Sequence, residues 1–181
     1  SVGKHPRIKG GAKMATTDEI QIREWWTKWP DANIGLATGS KSGFMVLDVD
    51  EGGEDELKKY PQLPDTVESL TGGGGRHIYL KIPPKVRIGN KVKFRPGLDI
   101  RGDGGYIVAP PSEYRGGKEY RWKDGFGITE CELAEIPTWL LNSAEKKKLS
   151  TAKARKNDVS NFIPEGERNN TGWDYGLTLK T

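Results

Sequence analysis

Phe44-Met-Val-Leu-Asp-Val-Asp50 is the stretch on which the reading of the whole chain turns. Four apolar residues run directly into two aspartates spaced i and i+2. On a β-strand, residues two apart project from the same face. Asp48 and Asp50 therefore point together from the end of a buried strand, and Val49 faces the other way. Two carboxylates held side by side repel unless a positive charge lies between them. A hard divalent cation such as Mg2+ resolves that repulsion. A strand running into an acidic surface turn, with Glu51 continuing the run, accounts for the same residues. Both readings stand on this stretch alone.

Working outward, short strands separated by glycine turns dominate. Residues 33–37 read as a strand, 39–43 as a turn, and the pair 33–37 and 44–49 as an antiparallel hairpin. Residues 66–70 and 77–81 flank the run Thr71-Gly-Gly-Gly-Gly-Arg76, and His77, Tyr79 and Lys81 share one face of the returning strand. Residues 97–101 and 106–109 flank a second glycine turn at 102–105, and 118–122 alternates as a last strand. Thr16 and Glu19 have capping-box spacing. The helix they open carries Ile20, Ile22, Trp25, Trp26 and Trp29, and Pro30 stops it. Tryptophans at helical spacing predict core packing rather than a platform for stacking bases. Short helices are expected over 54–60 and 136–141. The fold class expected is α+β, with a mostly antiparallel or mixed sheet and flanking helices.

The chain has 181 residues, enough for one well-buried domain and extra length at an end. Its 29 Lys and Arg against 25 Asp and Glu leave a formal charge of +4, which permits a polyanionic partner without requiring one. The single Cys131 excludes an internal disulfide and a cysteine-rich zinc site, and reads as a half-buried spectator thiol. No apolar run is long enough to span a membrane, so a cytoplasmic chain with no membrane partner is expected. Residues 1–142 read as the main domain and 143–159, rich in Lys, Ala and Ser, as a basic linker. Residues 160–181 read as the start of a further module.

Chemistry gathers at three comparable places. Asp48 and Asp50 end one strand, His77 begins another after a glycine turn, and Asp99 lies in a third that leads into the next glycine turn. If these strands are neighbours, the side chains converge on one face. Three carboxylates suit two divalent ions that bridge nucleotide phosphates and the attacking oxygen. Glycines 72–75 would let backbone N–H groups approach phosphate. Plainer accounts exist for each residue. Asp99 can pair with Arg101, His77 can be structural, Asp103 can be a turn residue, and the basic run Lys85, Arg87, Lys91, Lys93 and Arg95 can be solvated surface. The glycine run lacks the lysine and hydroxyl of a P-loop.

These motifs, in this order, resemble the primase–polymerase domain of the archaeo-eukaryotic primase superfamily, as found in plasmid, phage and mobile-element replication proteins. The resemblance covers residues from about 4 to 142. It rests on Ala15-Thr-Thr-Asp18, Trp25-Trp-Thr-Lys-Trp-Pro-Asp-Ala-Asn-Ile-Gly-Leu-Ala-Thr-Gly39, Val46-Leu-Asp-Val-Asp50, Gly74-Gly-Arg-His-Ile-Tyr79 and Leu98-Asp-Ile-Arg-Gly-Asp-Gly-Gly-Tyr-Ile-Val-Ala-Pro-Pro-Ser112. Pro164-Glu-Gly-Glu-Arg-Asn169 resembles the start of the helical primase C-terminal region. The chain departs from the pattern in three respects, the first being that relatives usually begin with an extra helix and strand before the basic glycine segment at which this sequence starts. Many superfamily members carry a serine two residues before the histidine, where this chain has Gly75, and some carry a zinc-binding insertion that one cysteine cannot supply.

The resemblance implies an RRM-like palm as the catalytic core and a DNA-dependent nucleotidyltransferase acting as primase, polymerase or both. It implies two Mg2+ or Mn2+ ions on Asp48, Asp50 and Asp99, with no zinc. His77 would bind the incoming triphosphate, assisted by Arg76 and Arg101. Partners would be a DNA template and primer, (d)NTP, and a helicase domain or protein downstream. Two other readings of the residues remain: a non-catalytic module binding single-stranded or origin DNA, and a metal-dependent nuclease.

Overall fold

The computed structural model describes residues 3–144. Eight strands in this region form two sheets. The larger has the order β5-β6-β2-β4-β3-β8, from Lys91–Arg95 (β5), Leu98–Arg101 (β6), Phe44–Val49 (β2), Arg76–Lys81 (β4), Glu68–Leu70 (β3) and Arg121–Trp122 (β8). The smaller is a two-stranded ribbon of Ile34–Ala37 (β1) and Tyr106–Ala109 (β7). Every pairing between these strands is antiparallel. Three helices accompany them, Glu19–Lys28 (α1), Gly53–Leu57 (α2) and Thr138–Ala144 (α3). This is the α+β class expected from the sequence.

β2 is central because it can be covered on both faces. Met45, Leu47 and Val49 join Ile78, Leu80, Leu98 and Ile100 in one apolar layer, closed by Ile136, Leu140 and Ala144 around α3. Pro137 starts α3, and its carbonyl accepts from Leu140 N and Leu141 N. On the opposite face, Val46 and Tyr79 pack with Val67, Ile107 and Ala109, so the β1–β7 ribbon lies over that half of the sheet. A strand buried on both faces reads as a continuous apolar run rather than an alternating one, as Phe44 to Leu47 does.

The expected hairpin between 33–37 and 44–49 is not formed. The turn closes locally, with Gly39 N donating to Phe44 O and Gly43 N to Gly39 O. The chain then passes from one layer to the other, because both edges of β2 are taken by β4 and β6. β1 pairs instead with β7, Ile34 opposite Ala109. The two turns that flank this crossing are tied by Asp103, whose Oδ1 accepts from Ser40 N and Ser40 Oγ, each at 2.7 Å.

α1 also departs from expectation. Asp18, not Thr16, is its N-cap and accepts from Ile20 N at 3.0 Å, while Thr16 Oγ1 accepts from Asp18 N. No residue of α1 is buried. Trp25, Trp26 and Trp29 are half-buried and, with Ile22, Ile34 and Leu36, line an apolar groove of about 330 Å3. The tryptophans therefore do not fill a core. A ribbon of two strands is too narrow to cover a helix whose aromatic side chains occupy most of one face.

Cys131 is half-buried, as expected. α3 continues through Ser143 and Ala144, so the domain extends past residue 142, and Ala144 is fully buried. The expected linker beyond that point and the module at 160–181 lie outside the described residues.

Candidate active site

Strand register brings the site together. Asp48 lies directly opposite His77 on one side and Asp99 on the other. One row of the sheet thus reads Asp99, Asp48, His77 across β6, β2 and β4. The next row along the same face reads Arg101, Val46, Tyr79. Directly opposed residues in an antiparallel sheet have Cβ atoms about 4.5–5.5 Å apart, so the row is a set of neighbours by construction. The i, i+2 rule applied to β2, β4 and β6 places these residues on the face away from Leu47, Ile78 and Ile100.

Arg101 organises the carboxylates. Its Nη2 donates to Asp48 Oδ2 at 2.9 Å and to Asp99 Oδ2 at 2.7 Å, and its Nε to Asp48 Oδ2 at 3.2 Å. The other oxygen of Asp99 accepts from Lys93 N at 2.5 Å. That bond anchors an irregularity in β5, where the register shifts between Lys91 and Arg95 and Lys93 takes a left-handed φ of 54°. A lysine in that region carries a steric cost, which the Asp99 bond offsets.

Asp48 is 8 % exposed. Burial pushes its carboxyl above the ordinary aspartate value, and the Arg101 guanidinium opposes that rise. Asp50, just past the end of β2, is raised as well, first by partial burial and then by repulsion from Asp48 and Asp99. The three aspartates therefore feel one another's charge. His77 is 5 % exposed and held down to about 4, mainly by burial and then by Arg101. It is neutral at pH 7, with one ring N–H to give. Its Nε2 lies 3.5 Å from Asp48 Oδ1, and its Nδ1 is buried without a partner.

Above this row lies a pocket of about 220 Å3 between the two sheets. Asp48, His77 and Arg101 form its floor. Gly104, Gly105, Tyr106, Ile107 and Val108 close it from the β7 side, and Lys4, Asn90 and Tyr120 complete the wall. Lys4 is placed there by its backbone, since its carbonyl accepts from Tyr106 Oη at 2.7 Å. Its ammonium lies 5.0 Å from the centre of the Tyr114 ring. Sequence reasoning did not single out Lys4, Asn90 or Tyr120. They arrive from three separate loops, and no local spacing connects them.

One expected partner of His77 is placed elsewhere. Arg76 neighbours His77 in sequence and so points from the opposite face of β4. Its guanidinium is held by Glu54 at 2.6 and 3.0 Å and by Glu68 at 2.8 Å, away from the pocket. Within the glycine run, Gly74 N donates to Thr71 O and Gly75 N to Thr71 Oγ1, so the turn itself uses two of the four backbone donors. Gly75 has a different reason to be glycine. A Cβ there would stand 2.3 Å from Val49 O, so the backbone at the end of β2 leaves no room for the serine seen in many superfamily members.

Asp48, Asp50 and Asp99 offer a hard, all-oxygen donor set with mutually raised repulsion, which is the chemistry of a divalent cation site. Among the described residues no three acidic, histidine or cysteine side chains stand in a ligating cluster. The Arg101 guanidinium takes the position between Asp48 and Asp99. The oxygen donors suit a divalent ion, but the side chains do not stand in a ligating cluster, and the cation among these carboxylates is an arginine.

A polar, cation-lined pocket thus lies over a row of carboxylates on an antiparallel α+β sheet. The family model for the bifunctional DNA primase/polymerase N-terminal domain, Prim-Pol, matches residues 1–139, and the chain belongs to that family. A comparison with curated proteins finds no match. The family carries DNA primase and polymerase activity, implies DNA and nucleotide substrates, and is generally dependent on divalent metal. Among the described residues no helix is long and apolar enough to cross a membrane.

Proposed function

We propose that this domain is a DNA-templated nucleotidyltransferase whose reaction centre is the Asp99–Asp48–His77 row with Asp50 beside it. The observation that carries the reading is the register itself, which sets a buried carboxylate, Asp48, between half-buried Asp99 and a neutral histidine, under a pocket lined by Lys4 and Arg101.

In the reaction, the 3′-oxygen of a primer forms its bond to the α-phosphorus as the bond to the pyrophosphate oxygen breaks. Asp48, Asp50 and Asp99 would hold two Mg2+ or Mn2+ ions, which supply neutralisation of the triphosphate and activation of the 3′-hydroxyl. Arg101 and Lys4 bind triphosphate oxygens. A guanidinium presents five donors in a plane and suits phosphate as well as it suits carboxylate. With Arg101 on the triphosphate, Asp48 and Asp99 would be left free to hold metal. His77, neutral at pH 7, donates one N–H to a phosphate oxygen without adding charge to the site. Tyr120 lies 6.0 Å from its ring and helps to keep water out of that side. The setting we assign, replication of plasmid, phage or mobile elements with a helicase as neighbour, rests on the sequence resemblance alone.

The test is extension of a primed template with dNTPs and Mn2+. We expect wild type to extend and Asp48→Ala with Asp50→Ala to lose at least about two orders of magnitude, the scale of a lost electrostatic contribution to the transition state. Equal extension by the double variant overturns the assignment. Degradation of DNA by wild type without nucleotides would favour the nuclease reading instead.

A further inference from the structure

Asn90 is not needed for any step above, yet its side chain is conspicuous. Its Oδ1 is buried and has no hydrogen-bond partner. Buried polar atoms are rarely left unpaired, because desolvation without a compensating bond is costly. The only other such atom in this pocket's lining is His77 Nδ1. Both belong to side chains that line the pocket.

The position of Asn90 is built rather than incidental. Lys91, the next residue, pairs with Ile100, so Asn90 stands level with Arg101 at the end of the Arg101–Val46–Tyr79 row, one step along from the carboxylates. A Cβ on Gly105 would sit 2.3 Å from Asn90 Oδ1 and 3.0 Å from Thr38 Oγ1. The amide thus rests on bare backbone at the 102–105 turn. Thr38 Oγ1 donates to Gly102 O at 2.8 Å and holds that turn in place.

The chemistry of the ligand part follows from the atom. A carbonyl oxygen needs a donor, and a triphosphate offers none at pH 7. The pocket, at about 220 Å3, is smaller than the roughly 300–1,000 Å3 of pockets that enclose whole drug-sized ligands. It takes part of a nucleotide, and a templated base must stay outside to meet its pairing partner. The donors left are the hydroxyls of the sugar. Resting on the nucleotidyltransferase reading, we infer that Asn90 accepts a hydrogen bond from a sugar hydroxyl of the incoming nucleotide and so makes this site selective for hydroxyl-bearing sugars over dideoxy sugars.

Equilibrium binding tests this without turnover. Wild type, Asn90→Ala and Asn90→Leu are titrated with ribo-, deoxy- and 2′,3′-dideoxynucleoside triphosphates of two different bases, and with inorganic tripolyphosphate. A neutral hydrogen bond contributes about 0.5–1.5 kcal/mol, so wild type should bind hydroxyl-bearing nucleotides about 3- to 10-fold tighter than dideoxy ones. Both variants should lose that preference while keeping wild-type affinity for tripolyphosphate. A loss confined to ribonucleotides places the bond on the 2′-hydroxyl, and an equal loss for ribo- and deoxynucleotides places it on the 3′-hydroxyl. Either supports the inference. Equal affinity of wild type for all three sugars overturns it, as does a variant that loses affinity for dideoxynucleotides equally or for one base only. Failure of wild type to bind any nucleotide overturns the underlying reading as well, which separates the two failures.

Discussion

Arg101 is the residue on which two roles meet, since it neutralises Asp48 and Asp99 and lines the pocket above them. Arg101→Met removes one partner from partly buried ion pairs and leaves two carboxylates repelling across a strand. Such losses cost about 3–5 kcal/mol when fully buried. With a quarter of the Arg101 side chain exposed, about 2 kcal/mol is the expected scale at pH 7. The deficit should shrink as pH falls, because protonation removes the repulsion. Urea unfolding of both proteins at pH 7 and pH 4.5 checks this, and a deficit that grows on acidification contradicts it.

His77 gives a second pH signature with the opposite sense. Its folded value, about 4, lies below the ordinary 6.5, so the unfolded chain binds the proton more readily. Stability conferred by a neutral His77 is complete above pH 6.5 and is lost as pH falls towards 4, by about 1.4 kcal/mol per unit. Asp48 and Asp50, raised above 3.8, act the other way in the acid part of that window. Comparison with His77→Gln isolates the histidine. The variant should lose less stability than wild type between pH 6.5 and 5, measured by urea midpoints. Parallel losses would show that His77 is not held neutral by the fold.

Among the elements, the β3–β4 turn shows how tightly the site is framed. Gly75→Ser places a Cβ against Val49 O, at the very strand end that presents Asp48 and Asp50. We expect a loss of about 1–3 kcal/mol, the cost of overpacking, and reduced extension. Gly43→Ser, where a Cβ meets nothing within 4 Å, should cost less, through its positive φ of 79° alone. Thermal unfolding of the two variants compares them, and equal losses would contradict the close approach.

Strands β2, β4 and β6 are legible in the sequence because each carries its own period and its own glycine turn. Their register follows once they are adjacent, and that is why Asp48, His77 and Asp99 can be named from sequence as one group. β1 with β7 is not legible. Its partners are some 70 residues apart, and the nearer turn at 39–43 offers a hairpin that only the crowding of β2 forbids. The period of α1 identifies an aromatic face but not what lies over it. Lys4, Asn90 and Tyr120 come from loops, where tertiary contacts and not local pattern decide what meets.

For the molecule as a whole, the basic stretch from 85 to 95 divides into engaged and exposed charges. Lys91 Nζ donates to Ser143 O, and Arg95 Nε to Tyr60 Oη. Lys85 and Lys93 have exposed side chains, both on residues with positive φ. If this ribbon tracks template phosphates, Lys85→Gln with Lys93→Gln should weaken single-strand binding without regard to sequence. It should also flatten the dependence of log K on log salt by about 1.4, or roughly 0.7 per phosphate contact. An unchanged slope in a fluorescence titration would move the template path elsewhere, and the half-buried tryptophans of α1 would then be the next surface to test.

We propose above all that the Asp48 and Asp99 carboxylates exchange Arg101 for metal when a nucleotide enters, with Asp50 joining them as a ligand. Crystals of the protein with a deoxynucleoside triphosphate and Mn2+, measured at the manganese absorption edge, test it most directly. The predicted map has anomalous peaks on those three carboxylates, with the Arg101 guanidinium turned to the triphosphate. A bound nucleotide with Arg101 still bridging Asp48 and Asp99, and manganese absent from them, would contradict it.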